Sequence, residues 1–479
     1  MSVNPLAPSW LAIPDDANAL APSVWSRNAL RNPVGEVEVA GRSLTSLAEE
    51  FGTPRFVLDE QDARSRSLEI RSAFDAEFAR VGSAAKVYYA GKAFLTIQVA
   101  AWMLEAGLNI DVCSGGELAV ALAAGADPAR LGLHGNNKSL AEIDRSVGVG
   151  IGAIVIDSLI EIERVAAAAA RHGRIQPVRL RVNSGVHAHT HEYLATARED
   201  QKFGIPLAET PAAVAAIRSH SSLSFLGLHS HIGSQIFESD GFAEAAHRLL
   251  EVHAALLADG PVPELNLGGG FGIAYTSVDV ALPVPEIARR LADIIADRAA
   301  ALGIPMPIVA VEPGRAVIGP STTTVYTVGT IKDVLVSASD AAETATRKYV
   351  SVDGGMSDNV RPALYAADYS ARIVSRGSAA APALVRVAGK HCESGDIVVH
   401  AEYLPGDVQP GDLLAVPATG AYCWSLASNY NYLARPPVVA VRDGRARVLV
   451  RGETEADLLA RDTGLEATDS GMNQGANER

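Results

Sequence analysis

Between residues 86 and 315, short β-rich runs alternate with longer stretches whose apolar residues recur at helical spacing, as in 161–172 and 286–302. Parallel strands need a crossover of a dozen or more residues, so this alternation predicts a parallel sheet. Eight β/α units in about 230 residues predict a (β/α)8 barrel, an α/β fold. A doubly wound open sheet has the same alternation and stays open as an alternative. The strand-like runs are KVYYA (86–90), LNIDV (108–112), RLGLH (130–134), AIVIDS (153–158), VRLRVN (178–183), SFLGLHSHI (224–232), ELNLGG (264–269) and IVAVEP (308–313).

The pattern changes near residue 320, after which apolar and polar residues alternate with a period of two between turn residues. This pattern predicts a second, mostly antiparallel β domain, a sandwich or a barrel. The segment 36–59 has strand-like ends and is expected to join it. We therefore predict an irregular lead-in over 1–35, a cofactor-binding barrel over 60–318, a β domain from 36–59 plus 319–460, and a disordered tail over 461–479.

Composition narrows the range of partners. The chain of 479 residues has 41 Lys+Arg against 55 Asp+Glu, a net charge of −14, and 5% aromatic residues. Nucleic-acid binders concentrate basic and aromatic residues, so we predict no nucleic-acid partner. No run reaches the roughly 18 apolar residues of a membrane span, and the first residues lack the basic start of a signal peptide. The three cysteines are too few for a disulfide framework. We expect a cytoplasmic protein without a membrane partner.

Ionisable residues and glycines follow the strand-like runs directly. In a (β/α)8 barrel these positions form the C-terminal mouth, where active sites are built from the βα loops. Their placement after successive strands predicts one site at that mouth. The positions are Lys92, Asp111, Ser114–Glu117, His134, Asn136, Asn137, Asp157, Asn183, His189, His231, Ser234, Gly268–Gly270, Glu312 and Arg315.

A few of these residues together indicate one cofactor. A lysine at a desolvated mouth, such as Lys92, can form a Schiff base with an aldehyde, although a lysine after a strand is more often a surface residue. Gly268–Gly270 offer backbone N–H groups that can hold a phosphate after the seventh strand. Glu312 and Arg315 follow the eighth strand and add an acid that can pair with a pyridine nitrogen. The combination describes a pyridoxal 5'-phosphate site.

Over residues 36–455 the chain resembles the barrel-fold (fold type III) pyridoxal-phosphate decarboxylases and, within them, the diaminopimelate decarboxylases. The resemblance implies decarboxylation of meso-2,6-diaminopimelate to L-lysine and CO2, the last step of lysine biosynthesis. The motifs that carry it, in chain order, are YYAGKAF, DVCSGGEL, HGNNKS, RVNSGVHAHTHEY, KFGI, LHSHIGSQ, LNLGGGFG, EPGR, RPALY, CESGD and GAY…SNYN.

The same resemblance implies the residues that bind the cofactor. Lys92 would hold it through a Schiff base, and His231 would stack on the pyridine ring. Glu312 would keep the ring nitrogen protonated, so that the ring can accept electrons from the carbon that loses CO2. The other cofactor-binding residues implied are Ser234, Gly269, Gly270, Gly314, Arg315 and Tyr422.

For the substrate, the resemblance implies a site with both signs of charge. An arginine such as Arg361 suits a distal carboxylate, and an acid such as Glu393 suits a distal ammonium group. Cys392 would give the proton to the carbon that has lost CO2, although an isolated cysteine is more often an ordinary buried thiol. The substrate-binding residues implied are Arg315, Arg361, Tyr365, Glu393 and Tyr422.

The resemblance further implies a homodimer in which the CESGD segment of one subunit completes the site of the other. The histidines of HAHTH alternate without an accompanying acid pattern, so no metal is predicted. Two alternatives stay open. One is a related decarboxylase of another basic amino acid or of a carboxylated polyamine precursor. The other, from a different class, is a non-catalytic regulatory protein that binds the cofactor.

Overall fold

The computed structural model describes residues 4–186, 202–237, 240–337 and 344–464. The first thirteen strands in chain order are β1 (Ala29–Arg31), β2 (Val37–Val39), β3 (Arg42–Ser43), β4 (Arg55–Asp59), β5 (Ala85–Ala90), β6 (Asn109–Val112), β7 (Leu131–Leu133), β8 (Ala153–Ile156), β9 (Gln176–Asn183), β10 (Ile205–Pro206), β11 (Leu223–His229), β12 (Glu264–Asn266) and β13 (Ile308–Val311). The later strands are β14 (Thr322–Ser337), β15 (Thr344–Val352), β16 (Arg372–Ile373), β17 (Pro382–Ala388), β18 (Ile397–Pro405), β19 (Leu413–Val416), β20 (Val438–Arg442) and β21 (Arg445–Val450).

The α-helices of the described residues mostly cover the outside of the barrel. α9 shows why: Ile287, Leu291 and Ile295 recur every four residues and are all buried. In the described ranges, no helix is both long and apolar enough to cross a bilayer. The helices are α1 (Leu44–Phe51), α2 (Glu60–Arg80), α3 (Ile97–Glu105), α4 (Gly115–Ala123), α5 (Leu140–Val149), α6 (Leu159–Arg171), α7 (Thr210–Ser219), α8 (Asp240–Leu257), α9 (Val284–Leu302), α10 (Arg315–Ile318), α11 (Arg361–Tyr365) and α12 (Glu455–Leu459).

The parallel sheet closes on itself. Its strands pair in the order β5–β6–β7–β8–β9–β11–β12–β13, and β13 pairs in parallel with β5 through Val309 and Ala85. The eight predicted runs are these strands, so the barrel prediction is confirmed and the open-sheet alternative is wrong. The runs read as continuous apolar stretches because both faces of each strand are covered, by the barrel interior and by the helices. All the C-terminal strand ends therefore meet at one mouth.

A second, mostly antiparallel sheet follows the barrel. It runs in the order β18–β17–β15–β14–β4–β20–β21, and β19 pairs with β14 and β16. The long strand β14 reaches from β4 to β15 and has an irregular register between Val328 and Ile331. The pairs β15–β17 and β4–β20 are parallel, and the other pairs of this sheet are antiparallel. β4, which precedes the barrel in the chain, thus pairs with strands of the β domain.

The N-terminal region is more ordered than a lead-in without periodicity suggests. β1 lies inside residues 1–35 and forms a separate three-stranded sheet with β2 and β3, so these two strands do not join the β domain's sheet. Trp25 is buried, and the Ser26 hydroxyl donates a hydrogen bond to Asp59 Oδ2 at 2.8 Å. Strands of two or three residues are too short to show a period, which is why the pattern does not reveal them. His189 and residues 465–479 of the predicted tail lie outside the described residues.

Candidate active site

Lys92 lies where the first barrel strand ends. It sits in a short 3-10 turn, Gly91–Ala93, directly after β5, and its side chain is exposed. The backbone N–H of Tyr422 donates to Ala93 O at 2.9 Å, which joins the β domain to this turn. A Cβ atom on Gly314 would come within 2.9 Å of Ala90 O, so the EPGR loop packs closely against the other side. The amine is therefore presented at the mouth by a turn that is held from both sides.

The glycines after β12 pass through a space in which only backbone fits. A Cβ atom on Gly269 would lie 2.3 Å from Glu312 O, and one on Gly270 would lie 2.5 Å from Gly233 O. Gly270 also has a φ of 114°, a conformation that L side chains rarely adopt. The obstructing atoms are themselves backbone, so neither contact can be relieved by a rotamer change. Gly268 and Gly269 donate their N–H groups to Asn266 Oδ1 and His231 Nδ1. The close packing brings the backbone of Gly270 to the barrel mouth, where its N–H can donate to a phosphate.

Arg315 is a fixed cation beside these glycines. It is buried; its Nη2 donates to Ser234 Oγ at 2.7 Å and its Nη1 donates to the Tyr275 hydroxyl. The Tyr422 ring lies 4.7 Å from the guanidinium carbon, a cation–π contact. Tyr422 reaches this position with a φ of 63°, an uncommon value for a residue other than glycine. Predicted cofactor residues from the sixth and eighth barrel strands and from the β domain thus meet around one guanidinium group.

Glu312 is buried at the end of β13 among nitrogen-bearing side chains. Asn266 Nδ2 donates to its Oε1 at 2.8 Å, and His229 Nε2 and His134 Nε2 lie 3.1 and 3.6 Å from the same oxygen. Burial by itself raises the pKa of this carboxyl group, but the two histidines, His229 within hydrogen-bond distance, hold it well below the usual value. Burial also lowers the pKa of each of these histidines to about 4. At neutral pH the cluster therefore combines an ionised Glu312 with neutral imidazoles.

Asp111 and His231 complete the surroundings of this carboxylate. Burial, followed by the negative charge of Glu312, raises the pKa of Asp111 well above its usual value, so a single charge resides on the pair. Burial, followed by the positive charge of Lys92, holds the pKa of His231 well below its usual value. His231 Nδ1 accepts a hydrogen bond from Gly269 N–H at 3.2 Å, which fixes a neutral imidazole against the glycine segment. A flat neutral ring in this place suits stacking on a pyridine.

The substrate-side residues separate into two groups. Arg361 is buried; its Nη1 donates to the Tyr369 hydroxyl, and its guanidinium lies 4.4 Å from the Tyr275 ring. No described carboxylate lies within ion-pair distance of this guanidinium. Tyr365, four residues along α11, is exposed. Tyr275 contacts both Arg315 and Arg361 and so links a predicted cofactor-binding residue to a predicted substrate-binding residue.

Cys392 and Glu393 are exposed on the β domain. The Cys392 backbone N–H donates to Asn431 Oδ1 at 3.2 Å, and the Tyr430 hydroxyl donates to Glu393 Oε2 at 3.4 Å. Within the described part of the chain, no hydrogen bond or ion pair joins either side chain to the barrel mouth.

Sequence reasoning assigns no role to several residues that shape this site. His229 ends β11 and lies two positions before His231, so an extended backbone continued by two residues would place both side chains on the same face. Asn266 opens the motif that contains the glycines and could have been noticed for that reason. Tyr275 and Tyr369 lie outside regular secondary structure, and no spacing signals them. Their roles arise only from contacts between distant parts of the chain.

The donor set fits pyridoxal phosphate. The exposed amine of Lys92 suits an aldehyde, the glycine segment with Arg315 suits a phosphate, and the ionised Glu312 suits a pyridine nitrogen. His134, His229 and Glu312 also offer atoms within 4.8 Å of one another, a spacing seen at metal sites. We assign the cluster to the pyridine ring because an amine and a phosphate cradle lie at the same mouth. Fold and site together define a barrel-fold pyridoxal-phosphate enzyme.

Comparisons with known proteins specify the family. The family model described as "Pyridoxal-dependent decarboxylase, pyridoxal binding domain" matches residues 67–319. The chain is 53% identical over 450 residues to the diaminopimelate decarboxylase of Mycobacterium tuberculosis, covering 92% of this chain and 98% of the relative. It is 41% identical over 438 residues to that of Bacillus subtilis, covering 90% and 96%. This chain belongs to the diaminopimelate decarboxylase family, and the predicted family and cofactor are confirmed.

Solved structures agree with this assignment. The diaminopimelate decarboxylase structure from M. jannaschii superposes with a TM-score of 0.84 at 28% identity and covers 91% of this chain and 98% of that one. The Helicobacter pylori diaminopimelate decarboxylase, solved in complex with L-lysine, has a TM-score of 0.75 at 25% identity and covers 89% and 99%. The barrel and the β domain are thus shared features of this family.

Substituting Gly269 tests the fit of the cofactor cradle. Gly269→Ala would place a methyl group on Glu312 O and displace the glycine segment, so we expect pyridoxal phosphate to bind at least about tenfold more weakly, a loss of about 1.4 kcal/mol. Cofactor dissociation constants measured by absorbance titration provide the check. Gly329→Ala is the matched control, because its Cβ atom would meet nothing closer than Ser351 O at 3.7 Å. Equal affinity of Gly269→Ala and wild type would show that the segment does not contact the cofactor.

Proposed function

We propose that this protein decarboxylates meso-diaminopimelate at its D-centre and releases L-lysine and CO2. The observation that carries the proposal is Arg361, a buried guanidinium that has hydroxyl and aromatic neighbours but no described carboxylate partner. A buried cation needs an anionic partner, and a substrate with a distal carboxylate supplies one. A substrate with only a distal ammonium group would be repelled. The family membership supports the same reaction.

The cofactor-binding residues have separable tasks in this proposal. Lys92 would hold the cofactor covalently through its amine. Ser234, Gly269, Gly270, Gly314 and Arg315 hold the phosphate end, with Tyr422 packed on the Arg315 guanidinium. His231 would lie against the ring face, and Glu312 would face the ring nitrogen. The bound cofactor supplies an electron sink for the carbon that loses CO2.

The remaining task is to return a proton to that carbon, and we assign it to Cys392. Cys392 and Glu393 are exposed and lack polar contacts with the barrel mouth in the described chain. Nearby, Tyr430 and Tyr432 expose 41% and 68% of their surface, which favours a covered interface over a solvated loop. We therefore propose a homodimer in which this segment completes the site of the second copy, with Glu393 at the distal ammonium group.

A substrate panel tests the reaction. The holoenzyme is expected to release CO2 from meso-diaminopimelate and not from L-lysine, L-ornithine or L-arginine. Arg361→Ala should lower kcat/KM for meso-diaminopimelate by about 100-fold or more, because a buried charge-assisted pair is lost. Arg445→Ala, at an exposed arginine of the same domain, is the control. Release from ornithine or arginine but not from meso-diaminopimelate would favour the related decarboxylases. No release from any member despite bound cofactor would favour a regulatory protein.

Mixed dimers test whether sites are shared. Lys92→Ala and Cys392→Ala proteins should each be inactive alone, but a mixed dimer carries both changes in one site and leaves the other intact. After complete subunit exchange we expect roughly a quarter of wild-type activity, because half of the dimers are mixed and each has one working site. The activity of the mixture is measured as a function of the extent of subunit exchange, which is followed with differently tagged subunits. Verified exchange without recovered activity would contradict the shared site.

A further inference from the structure

Asn266 occupies a position that neither the motif analysis nor the proposed reaction uses. It ends β12 and is fully buried. Its Oδ1 accepts a hydrogen bond from Gly268 N–H at 2.8 Å, and its Nδ2 donates to Glu312 Oε1 at 2.8 Å. The orientation of this amide is determined by chemistry, because a backbone N–H can only donate and must therefore meet the oxygen. The NH2 group is thereby committed to the carboxylate.

The contacts of Glu312 converge on one of its two oxygens. Asn266, His229 and His134 all approach Oε1, at 2.8, 3.1 and 3.6 Å. No described side chain is hydrogen-bonded to Oε2. A carboxylate restrained at one oxygen has its plane fixed and its second oxygen available to a ligand. Of the three neighbours, only Asn266 combines a hydrogen bond to Glu312 with a second one to the glycine segment.

Backbone contacts extend this connection. Ser230 N–H donates to Asn266 O at 2.9 Å, and Glu312 N–H donates to Gly268 O at 2.9 Å. Asn266 is therefore bonded to the strand end that carries His231, to the glycines assigned to the phosphate, and to the acid assigned to the ring nitrogen. These are the groups that must have a fixed spacing if they are to hold the two ends of one rigid cofactor.

We propose that Asn266 is the positioning residue that aligns Glu312 with the ring nitrogen of pyridoxal phosphate and couples that alignment to the phosphate cradle. Asn266 acts through Glu312 and does not contact the substrate. It rests on the proposed task of Glu312 and is independent of which amino acid is decarboxylated.

Asn266→Asp keeps one of the two hydrogen bonds of the Asn266 side chain and removes the other. The new carboxylate keeps an acceptor for Gly268 N–H but replaces the donor to Glu312 with a like charge. Two carboxylates in contact cannot both remain ionised at low cost, so they share a proton and the negative charge that faces the ring nitrogen is weakened. We expect kcat to fall by about 10- to 100-fold with a smaller change in KM, as for the loss of a hydrogen bond to a charged group. The pH dependence of the holoenzyme's visible absorption should shift in the same direction as in Glu312→Gln.

A double variant distinguishes positioning from a general structural role. Adding Asn266→Asp to Glu312→Gln should cost no more than about a further twofold in kcat, because a residue that acts through Glu312 has nothing left to position. Full additivity of the two losses would overturn the proposal. The matched control is Asn109→Asp, which adds the same charge at the N-terminal end of strand β6, away from the barrel mouth. This variant should leave the absorption spectrum and the cofactor affinity unchanged.

The spectra of the single variants distinguish the task of Glu312 from the role of Asn266. If Glu312→Gln leaves the spectrum and its pH dependence unchanged, the assigned task of Glu312 is wrong, and this inference falls with it. If Glu312→Gln changes them and Asn266→Asp does not, the task of Glu312 stands and only the role of Asn266 is overturned. Should Asn266→Asp fail to fold, Asn266→Ser, which is uncharged, is measured in the same single and double variants, and the same non-additivity is required.

Discussion

Glu312 carries a negative charge in a place where burial disfavours one. The carboxylate stays ionised because nitrogen-bearing side chains from neighbouring strands surround one of its oxygens, while Asp111 nearby is held in its neutral form. Unpaired, such a charge would be costly to bury. The arrangement therefore makes sense for a site that must keep a bound pyridine nitrogen protonated, and the other cofactor-binding groups are placed around this carboxylate.

The closed barrel makes this placement possible. Because β13 pairs with β5, the turn of Lys92 adjoins the loop of Glu312, although 220 positions separate them in the sequence. β12 pairs with β13 and leads into the glycine segment, and β11 pairs with β12 and leads into His231. The β domain adds Tyr422, whose ring contacts the Arg315 guanidinium, and Arg361, whose guanidinium contacts the Tyr275 ring. Closure of the barrel thus brings polar residues from distant parts of the sequence together in one site.

The periodicity of the sequence was sufficient to predict the barrel strands, because each is a continuous apolar run between amphipathic helices. It missed β1, whose three residues cannot show a period, and it did not separate β2 and β3 from the later sheet. Candidate site residues that belong to local motifs, such as Lys92 and Glu312, could be proposed from the chain alone. Asn266 and Tyr275 could not be assigned roles in this way, since their roles consist of contacts between segments that come together only in the folded chain.

The central claim is that Glu312 stays ionised and keeps the ring nitrogen of the bound cofactor protonated. The nitrogen-15 chemical shift of ring-labelled pyridoxal phosphate in the holoenzyme measures this directly. We expect the wild-type holoenzyme to give the chemical shift of a protonated pyridine nitrogen at neutral pH. Glu312→Gln should give the chemical shift of an unprotonated one. An unprotonated ring nitrogen in the wild-type holoenzyme would contradict the account.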